Sequence, residues 1–346
     1  VSHRFQRRQR HRFVIGAACA VAALTLWPGI RASAQVPEAI VWAYPHAPGG
    51  QNIEDDGTIY SVPGSELGLT WTQVRGRIVD ESGTVTGFSV PDWHPGDHPP
   101  MPTSVAEGRG TDVRPCGYCH MPHGLGRPEN AAVAGLPVDY FIQQVNDMRS
   151  GARRTLDPRR IPPTLMLAAA NAVSDEAVRS AAEYFASLTF TPWTRVVEAD
   201  TVPKTHVLGG MLVATEDGEM EPIGERIIEV PEDWERTELR DTRSGFVAYV
   251  PMGSLARGES LVTTGAGKTV QCEVCHGPGL TGLGNIPPIA GRSPSYMFRQ
   301  LYEMQHGIRN GAQAALMKPV VANLSGADMI DIVAYVAALP PTPDGE

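Results

Sequence analysis

The pentapeptide Cys-Gly-Tyr-Cys-His at 116–120 returns as Cys-Glu-Val-Cys-His at 272–276. The likeness runs well past these ten residues. Cys116/Cys272, Gly135/Gly291, Tyr140/Tyr296, Gln144/Gln300, Gly151/Gly307 and Arg153/Arg309 all share an offset of 156. After a five-residue deletion, Met166/Met317, Ser174/Ser325, Tyr184/Tyr335 and Leu188/Leu339 share an offset of 151. A register kept from Cys116 to Leu188 marks an internal duplication, so one small architecture must be built twice around the same cysteine–histidine cluster.

The duplicated stretches read as helical. Val138, Phe141, Ile142, Val145 and Met148 recur at helical spacing, and Ser174 stands as an N-cap before Asp175 and Glu176. Beyond it Val178, Ala181, Ala182, Phe185 and Leu188 fall on one face. The remainder is different in character. Residues 35–100 are rich in Gly and Pro, with alternating runs "LTWTQVRGRIV" and "TVTGFSV" about a "DESG" turn. Residues 193–255 offer the strands "HVLGGMLVA", "ERIIEV" and "FVAYV" around an Asp217-Gly218 turn. The expected organisation is an N-terminal extension over 35–100, a helical domain over 101–192, a β-rich connecting segment over 193–255 and a second helical domain over 256–346.

Residues 1–34 read as a secretory leader: a basic head, an apolar run from Phe13 to Trp27, Pro28, and a small-residue site ending at Ala34. The run falls short of the about 20 residues that cross a bilayer, so cleavage is expected rather than a retained anchor. The leader holds six of the 29 Lys and Arg and none of the 38 Asp and Glu, leaving 23 − 38 = −15 for the rest. That charge argues against a nucleic-acid partner and for an acidic solvated surface or steering toward a basic partner. Of the five cysteines, Cys19 lies in the leader and the other four form the two motifs.

A Cys-x-x-Cys-His segment has a specific use. Two thiols one helical turn apart add to the two vinyl groups of one porphyrin, and the next residue carries its imidazole under the iron. Paired CxxC zinc sites place their pairs about 15–20 residues apart, whereas these lie far more distant, and a redox disulfide requires no histidine after each pair. Cys116, Cys119 and His120, with Cys272, Cys275 and His276, are therefore expected to hold two covalent c-type haems. A sixth ligand on the far face separates a carrier from a catalyst. Two methionine pairs recur in both copies, Met148/Met304 and Met166/Met317. Met148 falls on the apolar stripe of its helix, as a core-filling methionine does. Met166 lies in "IPPTLM", expected to be a Pro-bearing loop, and both it and Met317 precede a capping serine by eight positions. Met166 and Met317 are the expected axial ligands. His123, whose counterpart is Gly279, His306, whose counterpart is Ser150, and His206 are expected at the surface.

Other patterns carry less. "TTGAGKT" lacks the first glycine of a phosphate loop, Val262 standing in its place, and His94, Asp97 and His98 lie in a proline-rich turn region. No Ser-His-Asp or paired-carboxylate arrangement is arguable from the sequence.

With "CGYCH" and "VAGLPVDYFIQQVNDMRSGAR" in one half, and "CEVCHGPG" and "IAGRSPSYMFRQLYEMQHGIRNG" in the other, the chain resembles the dihaem c-type cytochromes built from two class I-type units. The resemblance covers about 101–190 and 256–340. It implies a mainly α fold around each haem, His/Met ligation, and periplasmic electron transfer between redox proteins. The donor would be a dehydrogenase or quinol-oxidising complex and the acceptor a terminal oxidase or reductase. Two departures bear on the first haem: Ala131 and Ala132 replace Pro287 and Pro288, and Met121 replaces Gly277. If they left one iron open, a peroxidase-like enzyme would be the alternative. A third reading makes the chain the cytochrome subunit of a larger dehydrogenase, docking through 35–100 and 193–255.

Overall fold

In the first repeat, helices Cys116–His120, Val138–Arg149, Ile161–Ala172 and Asp175–Ala186 fold over the attachment motif. The second repeats the order with Glu273–His276, Pro294–Gln305, Ala314–Val321 and Gly326–Ala338. This computed structural model describes residues 36–47 and 55–341; the expected leader over 1–34 and its cleavage site at Ala34 lie outside them. The described residues belong to one compact unit, Gln35–Glu346. Among them, no single helix is long and apolar enough to cross a membrane.

The last helix of each repeat starts where its sequence requires. Ser174 Oγ accepts from Ala177 N at 3.2 Å. Ser325 and Asp328 form a reciprocal capping box, Ser325 N donating to Asp328 Oδ2 at 2.9 Å and Asp328 N to Ser325 Oγ at 3.1 Å. The apolar faces then close two separate cores. Phe141, Val145, Val178, Ala182 and Phe185 are buried in the first, and Phe298, Met304, Met329, Ile330 and Val333 in the second. Each large apolar side chain so buried contributes about 1.5–3 kcal/mol.

The second repeat has a further helix, Ser254–Thr264, that crosses Gly326–Ala338. Gly258 makes the crossing possible, because a Cβ there would stand 2.0 Å from Asp331 O. In the first repeat the matching stretch contains Pro99, Pro100 and Pro102, and only the single turn Thr103–Ala106 forms.

The connecting segment is a three-stranded sheet with Phe246–Val250 at its centre, antiparallel to Ile228–Pro231 and parallel to Thr194–Glu198. Thr205–Leu208 pairs with Met211–Ala214, and Thr201–Pro203 with Met220–Pro222. Buried Glu229 ties this sheet to the second repeat, accepting from Ser293 Oγ at 2.8 Å and Ser295 N at 3.2 Å.

In the extension, Arg77–Val79 and Val85–Phe88 form the hairpin read from the sequence. Asp80 Oδ1 accepts from Ser82 N and Thr84 N across its turn at 2.9 and 3.1 Å. The strand expected through "LTWTQV" is instead a two-residue strand followed by the helical turn Trp71–Val74. A Thr70–Gln73 capping box overrides the β-propensity of Thr and Trp. The extension packs on the connecting segment: the buried Trp93 donates from Nε1 to Leu239 O at 2.7 Å, and Arg243 clamps Asp97 with bonds of 2.7 and 2.8 Å.

The two repeats exchange side chains reciprocally. Arg153 of the first donates to Tyr296 Oη at 2.7 Å and Gln300 Oε1 at 3.0 Å of the second. Arg309 of the second returns bonds to Tyr140 Oη at 2.7 Å and Gln144 Oε1 at 2.8 Å of the first. Each also reaches the glutamine of its own repeat, Arg153 to Gln144 Oε1 at 3.0 Å and Arg309 to Gln300 Oε1 at 3.1 Å. All six residues are repeat-related at the offset of 156, so the contact has the self-complementary logic of a two-fold interface within one chain.

Candidate functional site

Both attachment motifs face one cavity of about 1410 Å³ that extends from the first repeat to the second. A single small-molecule site usually measures about 300–1,000 Å³, so this space suits more than one ligand. Cys116, Cys119, His120 and Met166 line it with Cys272, Cys275, His276 and Met317.

The two histidines are held identically. His120 Nδ1 lies 2.8 Å from Ala131 O, and His276 Nδ1 lies 2.8 Å from Pro287 O. A carbonyl can only accept, so in each ring Nδ1 carries the proton and Nε2 keeps its lone pair, the arrangement a metal-ligating imidazole needs. Burial lowers the pKa of both and keeps them neutral. The alanine-for-proline change at 131 therefore leaves this contact intact, because only the backbone oxygen is used. The change at Met121 costs more. Met121 holds φ at +66° and ψ at 155°, where Gly277 holds +77° and 169°, a region open essentially to glycine that costs about 1–3 kcal/mol for a residue with a Cβ. Its side chain is buried and its sulfur lies 3.6 Å from Arg240 Nη2, which offsets part of that strain.

The thiols sit three residues apart on one turn in each motif. Burial pushes Cys116 up to about 12 and Cys272 up to about 11, so these places accommodate neutral sulfur, as a thioether is.

Met166 and Met317 are not in loops. Met166 lies in the helix Ile161–Ala172 and Met317 in Ala314–Val321. Pro162 and Pro163 occupy the first turn, where the missing N–H groups would have had no intrahelical acceptor, so the two prolines start the helix rather than prevent it. Met166 packs against the first core and Met317 against the second. Met148 and Met304 also reach the cavity wall, so cavity lining alone does not separate the two methionine pairs.

The remaining histidines are accounted for. His206 and His306 are exposed, His306 stacked on Tyr302 with ring centroids 4.0 Å apart. His123 is not a surface residue: Nε2 donates to Thr242 O at 3.0 Å, Nδ1 accepts from Leu125 N at 3.3 Å, and burial lowers its pKa to about 4. His94 is buried against Asp241 at 3.0 Å, and His98 bridges Asp92 at 3.2 Å and Tyr184 Oη at 3.1 Å. These contacts fasten the extension to the rest of the fold. Lys268 of "TTGAGKT" pairs with Asp328 at 2.6 Å.

Several arginines line the same cavity. Among the described residues, Nε and Nη2 of Arg160 and Nε of Arg292 and of Arg309 are buried without a hydrogen-bond acceptor. Burial lowers Arg160 to about 9 and Arg292 to about 10. Buried guanidinium groups want carboxylates, and a haem brings two propionates, so these residues fit the group that the motifs call for. The reciprocal pair Arg153/Arg309 was visible as a repeat match; Arg160 and Arg292 carried no sequence signal.

No protein-family model matches the chain. Over 87 residues it is 36% identical to cytochrome c-554(548) of Halomonas halodenitrificans, covering 25% of this chain and 96% of that protein. It is 34% identical over 104 residues to a thiosulfate dehydrogenase electron acceptor of Thiomonas intermedia, covering 29% of this chain and 48% of the relative. It is also 30% identical over 95 residues to cytochrome c4 of Azotobacter vinelandii, covering 25% and 45%. The chain thus spans about half the length of the latter two relatives. With nearly the whole of one cytochrome matched and the attachment motif present in both repeats, the chain belongs to the c-type cytochromes, as a dihaem member made of two tandem units.

Proposed function

We propose that this protein is an exported electron carrier, working in the periplasm, that moves single electrons between two redox proteins. The observation that carries the reading is the duplicated imidazole geometry, with Nδ1 of His120 and of His276 each fixed at 2.8 Å to a backbone carbonyl and Nε2 left for iron. Cys116 and Cys119 would hold the first haem and Cys272 and Cys275 the second. Met166 and Met317 would close the far faces, while Met148 and Met304 fill the cores beneath. When bound, the haems would supply one-electron iron chemistry, with His120 and His276 as nitrogen ligands and Met166 and Met317 as sulfur ligands that would raise the potential. The protein's own part is positioning: the carbonyl bonds fix both rings, and the buried arginines set a positive surrounding for the propionates.

The donor side is a dehydrogenase or a quinol-oxidising complex, and the acceptor a terminal oxidase or reductase. Support for a dehydrogenase comes from the relative that is itself a dehydrogenase's electron acceptor. The testing experiment is optical and magnetic spectroscopy of Met166→Ala and Met317→Ala. Wild type should show two low-spin haems, and each variant should convert one of them to high spin. A variant that leaves both haems low-spin removes that methionine as a ligand.

A further inference from the structure

The same face of the two repeats is treated in opposite ways. In the first, the attachment motif is covered: Pro115, Gly117, Tyr118 and His120 are buried. The guanidinium groups of Arg114 and Arg240 both lie over the Tyr118 ring, 4.6 and 4.1 Å from its centroid, and Arg240 also donates to Tyr118 O. Gly76 of the extension presses on that ring so closely that a Cβ would stand 2.8 Å from it. Arg127 donates to Thr237 O of the connecting segment at 3.3 Å. In the second repeat, Gln271, Glu273, Val274 and Cys275 are exposed.

Register makes the contrast residue-specific. At the offset of 156, Arg114, Tyr118 and Arg127 correspond to Val270, Val274 and Leu283. The first three are engaged by the extension and connecting segment. The last three are 51%, 68% and 58% exposed, large aliphatic side chains beside an exposed attachment cysteine. Leu316, next to Met317, is 65% exposed, but its counterpart Leu165 is exposed too, at 46%, so this edge does not separate the repeats. Among the described residues, none closes over Val270, Val274 and Leu283 as the extension and connecting segment close over the first repeat.

We propose that this uncovered face of the second repeat is the port through which the chain exchanges electrons with a redox protein, docked by apolar contact around the second haem. The first haem, closed on the equivalent face by the chain's own segments, exchanges electrons only through the second. The occupant follows from the first repeat, where protein is what covers this face, and from the aliphatic character of Val270, Val274 and Leu283, which calls for an apolar partner surface rather than a charged one. The proposal rests on the electron-carrier reading given above.

The test uses the mature dihaem protein, with haem content fixed beforehand by the pyridine haemochrome spectrum, so that loss of haem and loss of the port are told apart. The fully reduced protein is mixed rapidly with tris(phenanthroline)cobalt(III), a cationic oxidant with apolar faces. Two phases of equal amplitude are expected, the first rising linearly with oxidant and the second reaching a plateau set by transfer between haems. Val274→Lys with Leu283→Lys should slow the linear phase at least about tenfold by repulsion at the port, whereas Leu165→Lys, at the matching edge of the first repeat, should leave it within about twofold. Two linear phases in wild type, or equal slowing by Leu165→Lys, overturns the proposal. So does sedimentation showing a dimer that Val274→Lys dissociates, since the face would then be an interface between copies.

Discussion

Replacing Arg153 and Arg309 by methionine, singly and together, should expose a coupling that the geometry fixes in sign. Each guanidinium makes three hydrogen bonds, and Gln144 Oε1 and Gln300 Oε1 each accept from both arginines. Bonds from a charged donor are worth about 1.5–3 kcal/mol, partly offset by the cost of burying the charge, so each single variant should lose about 3 kcal/mol. A single substitution still leaves both glutamine oxygens with one donor and also relieves the repulsion between the two cations. The double substitution orphans both oxygens, at about 1 kcal/mol each, and gains no second relief. The double loss should therefore exceed the sum of the single losses by about 2 kcal/mol. The assay is urea unfolding of the oxidised holoprotein in a double-mutant cycle. Additivity within about 0.5 kcal/mol, or a double loss smaller than the sum, refutes the shared-acceptor argument.

Three further outcomes are expected. The bond to Asp92 raises the His98 pKa above its unfolded value of about 6.5. That stability is therefore complete below about pH 6.5 and lost as pH rises through the folded value, and urea midpoints compared between pH 5.5 and 8.5 should show a drop that Asp92→Asn flattens. Gly258→Ala places a methyl 2.0 Å from Asp331 O and should cost more than about 3 kcal/mol, read as a lowered melting temperature with the Soret spectrum retained at low temperature. Pro287→Ala keeps the carbonyl that His276 uses and should leave the low-spin spectrum unchanged, with a stability loss of about 0.4–1 kcal/mol from the looser unfolded chain.

What could be read from the residues and what could not divides along physical lines. Attachment motifs, helical faces and the Ser174 and Ser325 caps are written in side-chain chemistry at fixed spacing, and the sequence showed them. The helix bearing Met166 was read as a loop because Pro162 and Pro163 break helices everywhere except the first turn, and no capping side chain marks Arg160 as the start. The Ala131-for-Pro287 change looked consequential because sequence displays side chains, whereas the contact is made by a carbonyl every residue possesses. His123 was placed at the surface because the buried acceptor it needs, Thr242 O, lies 119 residues away. Arg240 and Arg160 gave no sign for the same reason: their surroundings are assembled from the extension, the connecting segment and both repeats.

The reciprocal loan of arginines has a genealogical consequence. A gene that doubles ordinarily yields two halves able to drift apart or be separated again, but here each half's tyrosine takes its hydrogen bond from the other's cation, and each glutamine draws on both. Severing this polypeptide between the halves would leave two fragments that each lack a contact the ancestor, standing alone, must have met differently. Separating the halves again would have to replace both contacts at once.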